Sequence, residues 1–264
     1  MKQLLGAVCL VFGVVAGVLG TPARACAQGD EIQVYDGGLA PKGVFNLTVH
    51  NNFTPKGIKT PIFSGGLTAD HSFNGVPEWA LGVTDWFEAG LYLPLYTRDT
   101  NLGWGVDGLK LRALFSVPNG ADRTFVYGAN FEFSYNARRW DTTRITSEVR
   151  PIVGWHLNKQ WDVILNPIID TAYDGLGNLE FVPSARVAYN ASDDWAVALE
   201  AYSDFGQFKG FAPASEQAHQ FFAVVDHTTK SGFELEFGAG VGLTNASDKF
   251  TLKLIVGKDL NKKK

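Results

Sequence analysis

Residues Phe125–Asn136 read FVYGANFEFSYN and alternate without a fault. Phe125, Tyr127, Ala129, Phe131, Phe133 and Tyr135 fall on one face. Val126, Gly128, Asn130, Glu132, Ser134 and Asn136 fall on the other. A period of two marks a β-strand with two unlike sides. About a dozen segments of the chain alternate in this way, and none has a convincing helical period. Many two-sided strands and no helix predict an all-β chain closed into a single antiparallel barrel.

The spacing predicts twelve strands: 43–51, 75–84, 86–96, 107–117, 124–136, 142–157, 161–172, 178–190, 195–205, 218–228, 232–244 and 249–260. Most are long enough to cross a bilayer when tilted. Turn formers separate them, among them Thr84-Asp85, Asn158-Lys159, Ser192-Asp193-Asp194 and Lys230-Ser231-Gly232. Long connections are expected at 52–74, 97–106 and 206–217. With the N-terminus periplasmic, these three would be extracellular, an asymmetry that transmembrane barrels share. The expected pattern is up-and-down, with an even strand number returning the C-terminus to the side of the N-terminus.

The N-terminus reads as an export signal. Met1-Lys2 gives a positive start, Leu4–Leu19 an apolar run, and Ala25-Cys26-Ala27 a small-residue cleavage site. Cutting is expected after residue 27. A lipoprotein signal using Cys26 is the rival, which Arg24 and the lack of an upstream Leu disfavour. The layout is therefore a signal peptide at 1–27, a periplasmic segment at 28–42, a barrel at 43–260 and a basic tail at 261–264. Cys9 and Cys26 are the two cysteines, so the mature chain has none and thiol chemistry is excluded. The formal charge of −4, with no basic block before Lys262-Lys263-Lys264, gives nucleic-acid binding no support. No cofactor is implied.

Alternation alone does not say which face meets lipid. A soluble lipocalin-like barrel buries its apolar face, whereas a membrane barrel turns it outward. Position along the strand is the better guide. On the apolar face Phe87, Tyr127, Trp155, Trp161, Tyr189, Trp195 and Phe233 lie at one end, and Tyr135, Phe181, Phe221 and Phe250 at the other. Aliphatic and small residues such as Leu91, Leu93, Val149, Leu165 and Leu199 lie between them. Two aromatic girdles around an aliphatic band indicate a bilayer. Outer-membrane lipid and the barrel-assembly machinery are then the expected partners, with a small solute as the third.

The polar face would line a lumen. Its candidates are Lys110, Arg112, Glu132, Arg144, Glu148, Arg150, Asp170, Arg186, Glu200, Glu234 and Glu236. Counting from the turns sets Lys110 opposite Glu132, beside Arg144, Glu148 and Arg150. Such a band would either select solutes by its field or fill the barrel with salt bridges. Gly238, Gly240 and Gly242 form an inward stripe with room for a loop, a ligand or a file of water. Asp70-His71-Ser72 is the one local cluster resembling acid, base and nucleophile, but neighbours on an extended chain point apart. No catalytic residue is expected. His50, His156, His219 and His227 show no metal-ligand spacing, so no metal is expected. Asn46 and Asn52 match a glycosylation pattern but read as ordinary strand and loop residues.

The hairpins GVTDWFEAGLYL and YNASDDWAVALEAY, in a Gly-rich barrel of this length, resemble the proteobacterial outer-membrane proteins of the phenol-degradation (meta-pathway) type and related barrels. The resemblance covers most of the mature chain. It implies passive uptake of small solutes, aromatic ones included, and no enzymatic activity. The ending departs from such barrels, which often close on an aromatic residue. Here KFTLKLIVGKDL ends at Leu260, and Lys258 breaks the outward alternation. A closed structural or adhesive barrel acting through its loops is the alternative from another class.

Overall fold

The computed structural model describes residues 29–261. The expected signal peptide, its cleavage site and Lys262–Lys264 lie outside the described residues. Fourteen strands form one antiparallel sheet: β1 Phe45–Lys56, β2 Phe73–Thr84, β3 Phe87–Asp99, β4 Gly103–Ser116, β5 Phe125–Asn136, β6 Ile145–His156, β7 Trp161–Asn166, β8 Ile169–Thr171, β9 Glu180–Phe181, β10 Ser184–Asn190, β11 Trp195–Asp204, β12 Ala218–Thr228, β13 Phe233–Gly242 and β14 Phe250–Asp259. Two pairs are halves of single staves. β6 pairs with β7 near one end and with β8 near the other, and β9 and β10 follow them in the same way. The result is a closed barrel of twelve staves, each beside its neighbour in sequence, with β1 on β14 completing the wall.

The two broken staves were expected as unbroken strands at 161–172 and 178–190. Pro167 and Pro183 explain the breaks, since proline has no N–H to give the ladder. A single bond from the Val182 N–H to the Ile168 carbonyl (3.1 Å) spans the gap. The twelve expected strands otherwise match the staves to within about five residues at their ends, the largest difference being β1, which runs on to Lys56. The connection expected to be long at 97–106 is a tight turn at 100–102. The long loops are at 57–72 and 205–217 and gather at the end away from β1 Phe45 and β14 Asp259. In membrane barrels the short turns are periplasmic and the longer loops extracellular.

The outward face is apolar. Leu111, Phe133, Leu199 and Phe237 are each more than half exposed at mid-strand. A soluble exterior would carry charge there. All the expected girdle rings lie on this outward face. Tyr127, Tyr135, Trp161, Trp195, Phe221 and Phe233 are exposed. Phe87, Trp155, Phe181, Tyr189 and Phe250 are half-buried. For four of these five a neighbouring ring gives the reason: Phe87 stacks on Phe115, Trp155 lies against Phe125, Phe181 against Phe205 and Tyr189 against Trp161. Lys258, the expected flaw in the last strand, sits with its ammonium 3.9 Å from the Phe233 ring centre. That contact holds the charge at the barrel end. No helix among the described residues is long and apolar enough to cross a membrane, which leaves crossing by strands untouched.

Inside, the barrel is occupied. The segment expected as a periplasmic lead-in at 28–42 runs up the lumen instead, from Ala40 near the turn end to Gly29 at mid-height. Asp30, Glu31, Ile32, Val34 and Tyr35 are buried there. Ile32 and Val34 pack on Ile164, Ala188, Ala198, Tyr202, Phe222 and Val224. Tyr35 packs on Leu114 and Ile152. The inner face is thus partly apolar, where a polar lining was expected. The insert needs an apolar wall, and the wall needs the insert to keep its apolar surface from water.

Candidate functional site

The inward positions of neighbouring staves fall at one level because alternation and register agree. Arg112 faces Glu132 across β4–β5, and Glu132 faces Glu148 across β5–β6. Glu148 then faces Asp170, and Asp170 faces Glu180. Carboxylates set directly opposite one another destabilise a sheet, so this row needs cations beside it. Lys110 is two residues out of the expected register, opposite Ser134, yet its ammonium reaches Glu132 diagonally at 3.2 Å.

Two ion clusters result. The first spans β2–β6 and the insert. Arg112 bridges Glu78 (2.7 Å) and Glu88. Lys110 binds Asp30 of the insert at 2.6 Å as well as Glu132. Arg150 binds Glu148 at 2.6 Å, lies 3.9 Å from Glu31, and sets its guanidinium over the Tyr35 ring. Gly90 makes room for Arg112, since a Cβ there would meet the guanidinium Nε at 2.7 Å. The second cluster spans β10–β14. Arg186 bridges Glu200, Asp226 and Glu236, and Lys253 binds Glu200 and Glu236, both at 2.5 Å. Tyr202 donates to the same Glu200 at 2.6 Å.

The glycine stripe expected to leave room is filled. A Cβ on Gly238 would meet Lys253 Cε at 2.7 Å, and Gly240 lies against the Phe222 ring. The missing side chains admit two large neighbours of the same wall, which alternation could not reveal. Two other lumen candidates lie elsewhere. Arg144 precedes β6 at the loop end, exposed, with its guanidinium over the Tyr135 ring. Glu234 is exposed near the turn end of β13.

The wall holds the insert chiefly by its main chain. The Asn166 side chain accepts from the Tyr35 N–H (2.7 Å) and donates to the Tyr35 carbonyl (2.9 Å). Arg150 donates to the Gln33 carbonyl and Lys253 to the Ile32 carbonyl, each at 3.1 Å. Asn52 donates to the Gly29 carbonyl at 3.1 Å, so this expected loop residue is a buried tether. Glu88 accepts from the Ala40 N–H. These bonds stand in for the strand ladder that a lone chain inside a barrel lacks.

The loop end is drawn over the lumen. In loop 57–72 the Ile58 N–H donates to Asp248 (2.8 Å) and the Thr68 N–H to Asp99 (2.6 Å). A cavity of about 90 Å³ lies beneath, lined in part by Ile32, Ile58, Leu67, Val182 and Tyr202. Burial pushes the Asp248 carboxyl up. Asp70 is held below the usual carboxylate range by the Gly57 N–H and then by His71. The His71 ring meets Asp70 at 2.9 Å, but the Ser72 hydroxyl donates to the Ala69 carbonyl. Asp70, His71 and Ser72 therefore form no relay.

Several residues at the site went unread in the sequence. Asp30 and Glu31 carry no strand signal of their own, and Glu78 was not counted among the lumen candidates. His50 lies on the inward phase of β1, where its partners are remote in sequence.

No family model and no curated protein matches the sequence. Solved structures do. The barrel is similar to the COG4313 outer membrane channel from Pseudomonas putida F1, with a TM-score of 0.60 at 16% identity over 87% of this chain and 100% of that one. It is similar to the NanC porin, with a TM-score of 0.54 at 10% identity over 82% of this chain and 100% of that one. The KdgM porin, solved with disordered oligogalacturonate, gives 0.53 at 8% identity over 82% and 99%. At such identities the likeness speaks to fold. Together with the apolar exterior, it gives this chain the fold of an outer-membrane β-barrel.

Proposed function

We propose that the protein is an outer-membrane channel for small solutes whose lumen is closed by the insert 29–40. The observation that carries this reading is the manner of closure. The wall is complete without the insert, and the insert is held by side chains rather than by the ladder. It can leave without breaking any strand pairing. The ionisable lining would then face water and act on solutes by charge. The apolar strip of Ile164, Ala188, Phe222 and Val224 would offer a surface to a small aromatic molecule, as the family resemblance suggests. The girdle rings would hold the wall at headgroup level.

The soluble lipocalin-like alternative is overturned, because Leu111, Phe133 and Leu199 would fill its interior and here lie outside. A closed structural barrel makes the opposite prediction in one experiment. In planar bilayers the chain lacking residues 29–40 should conduct several-fold more than the wild type. Silence from both proteins, with heat-modifiable gel mobility showing both barrels folded, refutes the channel.

A further inference from the structure

We propose that Glu31, His50 and Glu78 form a binding site for a divalent transition metal, best suited to Zn²⁺, that fastens the insert to the barrel wall. The inference rests on where the insert lies and does not need the barrel to conduct.

One donor atom from each of the three residues lies within 4.8 Å of the others. Each comes from a separate element: Glu31 from the insert, His50 from β1 and Glu78 from β2. His50 and Glu78 are diagonal neighbours, since Thr48 is the residue paired with Glu78 and Val76 the one paired with His50. Their side chains already meet, with His50 Nε2 3.1 Å from Glu78 Oε2. Imidazole nitrogen and carboxylate oxygen are both zinc ligands, and three protein donors suffice for a site with an open position. Tetrahedral zinc with bonds of about 2.0–2.1 Å sets donors roughly 3.4 Å apart. The donors lie within 4.8 Å of one another, so a gap of up to about 1.4 Å has to close.

An independent observation points the same way. Glu31 is 2% exposed, and neither of its carboxylate oxygens has a hydrogen-bond partner. Its nearest ion-pair partner, Arg150, lies 3.9 Å away. The fully buried His50 likewise has no partner at Nδ1. A buried carboxylate without donors is costly unless a cation or a proton joins it. The surrounding charges show that the permanently cationic side chains are too few, with His50 on Glu78 the one further group that can carry a proton. Six carboxylates (Asp30, Glu31, Glu78, Glu88, Glu132 and Glu148) share three cationic side chains (Lys110, Arg112 and Arg150). A divalent ion at Glu31 relieves that excess where it is least compensated. Binding would release any proton held between these groups.

Folded wild-type barrel in detergent, stripped with a chelator and titrated calorimetrically with Zn²⁺, should take up one equivalent. Glu31→Gln leaves the wall intact and should weaken uptake more than about 10-fold, because loss of a supporting partner alone commonly costs that much. His50→Gln should do the same. His71→Ala should leave uptake unchanged, since the exposed Asp70–His71 pair is the obvious adventitious site. Co²⁺ should give visible absorption bands that Glu31→Gln abolishes. No stoichiometric Zn²⁺ on the folded wild type, or undiminished uptake by Glu31→Gln, overturns the site. If His50→Gln fails to fold, Glu31→Gln decides. A barrel that binds Zn²⁺ yet never conducts refutes the channel alone.

Discussion

The two ion clusters inside the barrel use the same residue types and end up in different electrostatic states. In the β10–β14 cluster, Arg186 and Lys253 serve three carboxylates, all on the wall, and Glu200 meets both cations and the Tyr202 hydroxyl. In the β2–β6 cluster, three cations serve six carboxylates, two of them carried in by the insert. One network draws all its charges from the wall, and the other is loaded with acid by a segment that is not part of it. Buried ion pairs add little net stability unless every member is satisfied. The β2–β6 cluster is therefore where the molecule is electrostatically strained and where a ligand or a proton has most effect.

The sharpest way to break this comparison is to remove a shared cation. Arg112→Met leaves Glu78 and Glu88 without their shared cation. It should lower the unfolding free energy by about 3–5 kcal/mol, read from the urea midpoint of the refolded barrel. A loss under about 1 kcal/mol would show that water reaches the cluster. Next comes the network built from the wall alone. Glu200→Gln should cost about 1.5–3 kcal/mol, because it weakens charge-assisted bonds already made. The smallest effect belongs to the unsatisfied acid. In metal-stripped protein, Glu31→Gln should change stability by less than about 1 kcal/mol in either direction, since no hydrogen bond is lost. If Glu31→Gln proved as harmful as Glu200→Gln, the contrast between the clusters would fall.

The staves were legible because each shows its own alternation, and an uncompensated charge on the lipid face would cost about 2–4 kcal/mol at mid-bilayer. That cost keeps the outward pattern of β5 or β14 clean enough to read. The inner face carries no such constraint. Phe222 and Lys253 sit among inward residues because Gly240 and Gly238 face them, and only register reveals that pairing. The break at Pro167 was visible in principle, since proline removes a ladder donor, but strong alternation on both sides masked it. The insert was illegible for a plainer reason. Asp30–Tyr35 reads as a short polar-apolar stretch, and nothing local says that its partners are Asn166, Arg150 and Lys253. His50 was discounted because its co-ligands come from another strand and from the insert, a proximity that exists only once the barrel has closed around the segment.

The grip on the insert has a consequence of its own. Asn166, Arg150, Lys253 and Asn52 reach for carbonyl oxygens and an amide hydrogen, groups that nearly every residue supplies. That part of the grip is blind to side chains, so the letters of the segment matter where Asp30 meets Lys110 and where Ile32, Val34 and Tyr35 pack. Drift at Gln33, whose carbonyl alone is held, should be tolerated so long as the thread keeps its extended course. The same cradle should accept a foreign extended peptide supplied in trans if it matches the length and carries an acid for Lys110 and apolar groups at the packed positions.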